Sequence, residues 1–333
     1  MANFVSHELC FALLFLSLTK IFCFKPVIIV HGILDRASDM EDLASFITEA
    51  HPGTNITLIS LFEEVDSFKP LWMQVSTMRE KIRPVMQEAK DGVHIIGFSQ
   101  DNFVGLPEHG RFTMEPVICS FLMIPEKLAR LTSKPLFFND LNIPAGRRSC
   151  GLTVRAILET MDDHNVDTFI SLSSPQMGQY GGILFYTPYF QRTFSLANYW
   201  NDPYHEDKNY EFNIFLPVVN NLDASKFFNV TEYEKFKENF LRIKNLVLIG
   251  GPDDGVITPW QSSHFGFYMD NSNMTVVDMK NQQPSTSNLL LPEEYSHVYS
   301  SITDSFVVTT HYYSIDVKCE WIVASLRGKS YHA

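Results

Sequence analysis

Five apolar runs separated by helical patterns constrain this 333-residue chain more than any other feature. They are residues 26–32 (PVIIVHG), 55–62 (NITLISLF), 92–99 (GVHIIGFS), 166–174 (VDTFISLSS) and 245–251 (NLVLIGG). The first run is continuous and not alternating, which suits a parallel strand covered on both faces. Between them, Asp39 to Glu49 carries Leu43, Phe46 and Ile47 on one helical side, and Leu71 to Lys90 reads as a helix with Pro84 as a kink. A further helix is expected over about residues 231–243. Strands alternating with helices predict an α/β fold, a doubly wound and mostly parallel sheet, with its active crevice at the carboxyl ends of the strands. One domain over residues 24–333 accommodates all of it.

Two segments break the rhythm. Residues 185–215 hold Phe185, Tyr186, Tyr189, Phe190, Phe194, Tyr199, Trp200, Tyr204 and Phe212 without a clean period. They predict an aromatic-rich lid over an apolar cleft within residues 180–240, or a cap packed on the sheet; the two are compatible. The other break, Asp101 to Cys150, has prolines at roughly ten-residue intervals and no sustained helix or strand pattern. Structureless loops of that length are uncommon inside compact domains, so it reads as an irregular insertion, expected to be a retained intron or the product of a faulty gene model.

Charge narrows the partners. With 26 basic against 38 acidic side chains the net charge is -12, and no Lys/Arg block is present to neutralise phosphates. Nucleic acid is thereby excluded as the main partner. Leu9 to Leu18 is an apolar core too short to span a bilayer, so residues 1–23 are expected to be a signal peptide. Past it, no stretch resembles a membrane span. The sequons at Asn55, Asn229 and Asn273 agree with a secretory route and are expected glycosylation sites. Of the five cysteines, Cys119, Cys150 and Cys319 remain after the leader, an odd number without metal-ligand spacing. No metal and no cofactor is expected.

Gly97-Phe98-Ser99 follows an apolar strand, the context a nucleophile elbow requires. Such a turn wants small residues two places before and two places after its serine. Gly97 satisfies the first; Asp101, larger and charged, occupies the second. Later in the chain GGPDDGVITPW (250–260) ends the fifth apolar run with two carboxylates, and a histidine follows, giving the order Ser…Asp…His of hydrolases with this fold. The acid can hold a histidine tautomer so that its other nitrogen deprotonates the serine. His297 and His311 are the candidates for that base. His311 is preferred because it follows the strand-like DSFVVTT and precedes a helix-like segment. His31, at the end of the first strand, is expected to shape the oxyanion loop. The oxyanion donors are expected to be the backbone N–H groups of Ile33 and Gln100.

The stretches KPVIIVHGILD, HPGTNITLISLF, PLWMQV, GVHIIGFSQ, LTVRAILETMDDHNVDTFISLSSPQMGQYG, ANYWNDP and NLVLIGGPDDGVITPWQSSHFGFY resemble the palmitoyl-protein thioesterases, specifically the lysosomal type. The resemblance spans most of residues 26–100 and 151–270. It implies an α/β-hydrolase fold and lysosomal hydrolysis of acyl thioesters, such as S-acylated proteins or acyl-CoA. It also implies that Ser99 is the nucleophile, Asp254 the acid, and Ile33 and Gln100 the oxyanion residues. The family continues its elbow as Ser-Gln-Gly-Gly-Leu; here Gln100 is followed by Asp101, and the pattern resumes at Gly151-Leu152. The interrupted elbow leaves a second expectation open, a catalytically impaired, secreted acyl-chain-binding protein. A lipase-like carboxylesterase would share the same machinery.

Overall fold

The computed structural model describes residues 24–98, 150–180, 185–252, 256–277 and 306–309; for Cys150 and residues 306–309 only the backbone is described. Among the described residues six strands form one sheet: β1 (Val27–Val30), β2 (Ile56–Ile59), β3 (Val93–Phe98), β4 (Val166–Leu172), β5 (Asn245–Gly250) and β8 (Phe306–Thr309). Their order is β2-β1-β3-β4-β5-β8, and each neighbouring pair is parallel. The five apolar runs therefore each become a strand, and the strand-like segment before His311 becomes the sixth. A short antiparallel pair, β6 (Phe267–Tyr268) with β7 (Val276–Val277), lies apart from it.

Successive side chains on a strand point to opposite faces, and the core divides accordingly. Ile28, Val30, Val93 and Ile95 face one cluster and Val27, Ile29, Ile96 and Phe98 the other. On the second face Leu43 and Ile47 of α1 (Glu41–Ala50) cover the sheet, with Phe46 half-buried beside them. On the first lie Leu71, Val75, Met78, Ile82 and Met86 of α2 (Leu71–Glu88), together with Leu152, Val154, Ala156, Ile157 and Leu158 of α3 (Cys150–Glu159). Pro84 sits inside α2 without ending it. Helices on both faces of a parallel sheet are what a doubly wound architecture needs.

The aromatic segment folds into four short helices, α4 (Pro188–Thr193), α5 (Ser195–Asn198), α6 (Glu206–Phe212) and α7 (Leu216–Val219). Phe185, Tyr186, Ala197 and Trp200 form their own buried cluster, with Phe190, Leu196 and Phe212 against it. Phe194, Tyr199 and Phe215 join the main core, while Tyr189 and Tyr204 are exposed. The segment has a core of its own and is also fixed to the sheet domain: Ser195 Oγ donates to Ser67 O (2.9 Å), and Asn198 Oδ1 accepts from the Leu71 N–H (2.9 Å). A further helix, α8 (Val230–Phe240), is N-capped by the Asn229 side chain, which accepts from the Thr231 N–H. The proposed leader, residues 101–149 of the expected insertion, and Cys119 and Cys319 lie outside the described residues.

Candidate active site

Four strands end at one edge of the sheet, each shortly before a predicted site residue in sequence. β1 ends at Val30 and continues into His31-Gly32-Ile33; β3 ends at Phe98, one residue before Ser99. β5 ends at Gly250, four residues before Asp254, and Gly250 is in register with Thr309 of β8, two residues before His311. Because the sheet is parallel, these ends share its carboxyl edge. Ile33 is described and buried. Ser99, Gln100, Asp254, His311 and His297 lie outside the described residues.

The elbow's supporting helix is in position although residues 99–149 intervene. A Cβ on Gly97 would lie 2.6 Å from Gly151 Cα and 3.0 Å from its N. A Cβ on Gly151 would lie 2.5 Å from Ser171 Oγ and 2.6 Å from Ser174 Cβ. So the strand and the helix approach at two glycines, and β4 supplies small residues beneath them. The Ser174 hydroxyl accepts from the Leu152 N–H (2.8 Å), satisfying one of the donors that a helix start leaves open. Gly97 is required here for space, the reason an elbow wants a small residue before its serine.

The loop after β1, where the oxyanion donor Ile33 is expected, is held by reciprocal bonds with the segment after β2. The His31 ring nitrogens lie 2.9 Å from Gly32 O and 3.0 Å from Leu61 O, which ties β1's exit to β2's. The Glu64 N–H donates to Asp35 O (3.0 Å), the Ala37 N–H to Glu63 Oε1 (3.0 Å), and Arg36 pairs with Glu64. Leu34, next to Ile33, has φ 63°, in the left-handed region.

A buried arginine–glutamate pair on α3 carried no signal in the sequence. Arg155 and Glu159 are both 0% exposed, with Nε and Oε1 3.6 Å apart. The Arg155 guanidinium donates to Asn220 Oδ1 (2.6 Å) and Gln176 O (3.2 Å) and lies 5.1 Å from the Phe265 ring centroid. One side chain thus joins α3, the turn after β4, the residue that follows α7, and Phe265. Burial pushes the Glu159 carboxyl up to about 8, with Arg155 opposing. At the other sheet edge burial pulls His94 down to about 4.

Asn55, Asn229 and Asn273 are exposed. The Asn273 side chain is engaged, accepting from Tyr204 Oη (3.0 Å) and donating to Tyr180 Oη (3.4 Å).

A doubly wound parallel sheet with these strand ends on its carboxyl edge, and a helix seated against β3 at paired glycines, defines an α/β-hydrolase. The palmitoyl protein thioesterase family pattern matches residues 26–105 and 146–290. Lysosomal thioesterase PPT2 of Homo sapiens is 40% identical over 276 residues, covering 78% of this chain and 72% of that protein. The lysosomal thioesterase PPT2 homolog of Drosophila melanogaster is 33% identical over 274 residues, 78% of this chain and 76% of that one. Palmitoyl-protein thioesterase 3 of Dictyostelium discoideum is 24% identical over 286 residues, 81% and 79% of the two chains. The chain belongs to the palmitoyl protein thioesterase family, whose members are thioester hydrolases.

Proposed function

We propose that this chain is a lysosomal serine thioesterase acting on S-acylated proteins, peptides or acyl-CoA, with Ser99 as nucleophile, His311 as base and Asp254 as the acid that orients it. Ser99 Oγ attacks the thioester carbonyl while His311 takes its proton, and the Ile33 and Gln100 N–H groups hold the oxyanion. The C–S bond breaks, and the thiol departs with the proton from His311. Water, deprotonated by the same histidine, then attacks the acyl-Ser99 ester and releases the fatty acid. The aromatic segment over residues 180–240 acts as the lid.

The observation that carries this reading is the sheet edge. β3 ends one residue before Ser99, and the adjacent strands β5 and β8 end at the registered pair Gly250 and Thr309, just before Asp254 and His311. The same edge favours His311 over His297, since the chain leaves β8 toward His311 at that end and enters the strand from the other. The relatives named lysosomal, the apolar leader and three exposed sequons support the lysosome, reached by the secretory pathway, with N-glycans at Asn55, Asn229 and Asn273. Among the described residues no helix is long and apolar enough to cross a membrane. A fluorophosphonate probe tests the nucleophile: it labels the chain at Ser99, and Ser99→Ala loses both labelling and thioester turnover. Turnover retained by Ser99→Ala would remove Ser99 from the mechanism.

A further inference from the structure

The oxyanion loop contains a conformation that its own residue does not favour. Leu34 sits at φ 63°, where a Cβ crowds the backbone and glycine is the usual occupant. Packing does not put it there, because the Leu34 side chain is 38% exposed. What holds it is its N–H, which donates to Ser67 Oγ at 2.9 Å. Ser67 is 2% exposed and is fixed on several sides. Its hydroxyl donates to Glu64 O within the 3-10 turn Glu64–Phe68. Its carbonyl accepts from Gln74 Nε2 (2.7 Å) on α2 and from Ser195 Oγ (2.9 Å) on the lid helix α5.

We infer that Ser67 is a positioning residue for the thioesterase reaction: its hydroxyl holds Leu34 in the left-handed conformation, pins the Ile33–Leu34 peptide through the Leu34 N–H, and so fixes the direction of the Ile33 N–H one peptide back, toward the oxyanion. This rests on the assignment of Ile33 as an oxyanion donor. The physical argument is that a donor contributes to catalysis only when it is already oriented toward the developing charge. Strain of this kind persists where the surroundings over-determine it, and it clusters at active sites. The Ser67 carbonyl extends the control to the lid, because the residue that fixes the oxyanion loop also receives the Ser195 hydroxyl.

The test compares Ser67→Ala with the double variant Ser67→Ala/Leu34→Gly in the full chain, reading palmitoyl-CoA hydrolysis and amide exchange of Leu34. Ser67→Ala lowers kcat by about 30-fold with KM changed less than about threefold, since the donor is misaimed and not deleted. Leu34 exchange accelerates by about tenfold or more. Glycine populates the left-handed region as readily as the right-handed one, so the double variant recovers about tenfold in kcat. A general packing role for Ser67 would give no such rescue. A kcat within about twofold of the parent, unchanged Leu34 exchange, or a double variant as impaired as the single one overturns the inference. Amide exchange reads the same contact without turnover. Turnover surviving in Ser99→Ala marks failure of the catalytic assignment itself, separately from that of Ser67.

Discussion

Substituting Gly97 by alanine tests whether the elbow helix rests against β3 across the intervening segment. The added Cβ would stand 2.6 Å from Gly151 Cα and 3.2 Å from Val154 Cγ2, whereas ordinary contact begins at 3.4 Å. The nearest atoms are backbone, so no rotamer change relieves the clash, and α3 must retreat by about 0.8 Å. Overpacking of this kind costs about 1–3 kcal/mol, which in a domain of this size lowers Tm by about 2–10 °C. The same displacement pushes α3 off the strand that ends one residue before the proposed nucleophile Ser99, and a misplacement of about 1 Å there costs on the order of 100-fold in rate. Thermal melts and thioester turnover on Gly97→Ala measure both. A variant that melts within about 1 °C of the parent and turns over within about twofold would show that helix and strand do not meet at these glycines.

Two other predictions concern charge and the base. Glu159 keeps its proton to about pH 8 in the folded chain but ionises near 4.5 when unfolded, so the unfolded state binds fewer protons between those values and stability falls as pH rises from about 4.5 to 8. Glu159→Gln removes that slope in Tm measured at pH 5 and pH 8; an unchanged slope would mean another group sets it. His311→Ala should remove turnover and His297→Ala should retain it, and the opposite pattern in a hydrolysis assay would reassign the base.

The strands were legible because a parallel sheet buries both faces, and continuous apolar runs such as 92–99 have few other uses. The aromatic segment was legible only as a cap: its short helices are set by a buried polar network around Gln191, Asn198 and Asn213, which hydrophobic periodicity does not register. Arg155 and Glu159 were missed for a related reason. At i,i+4 on a helix they have the pattern of a solvated ion pair, and it is tertiary packing, with Gln176, Asn220 and Phe265 against Arg155, that puts both at 0% exposure. Leu34 gave no signal, since leucine has no preference for positive φ and the serine that holds it is 33 positions away. The glycine at 97 was readable because steric demands leave few alternatives at a strand end that meets a helix this closely.

The most direct test of the account replaces residues 101–150 with one glycine, which restores Ser-Gln-Gly-Gly-Leu across Ser99 and Leu152 and joins the matched segments around the unmatched residues 106–145. Palmitoyl-CoA hydrolysis is then compared between this shortened chain, the full chain and the shortened chain carrying Ser99→Ala. The account predicts hydrolysis by the shortened chain, at least about tenfold faster than by the full chain, and none after Ser99→Ala. An inert shortened chain that folds, or one that still hydrolyses thioesters without Ser99, would contradict it.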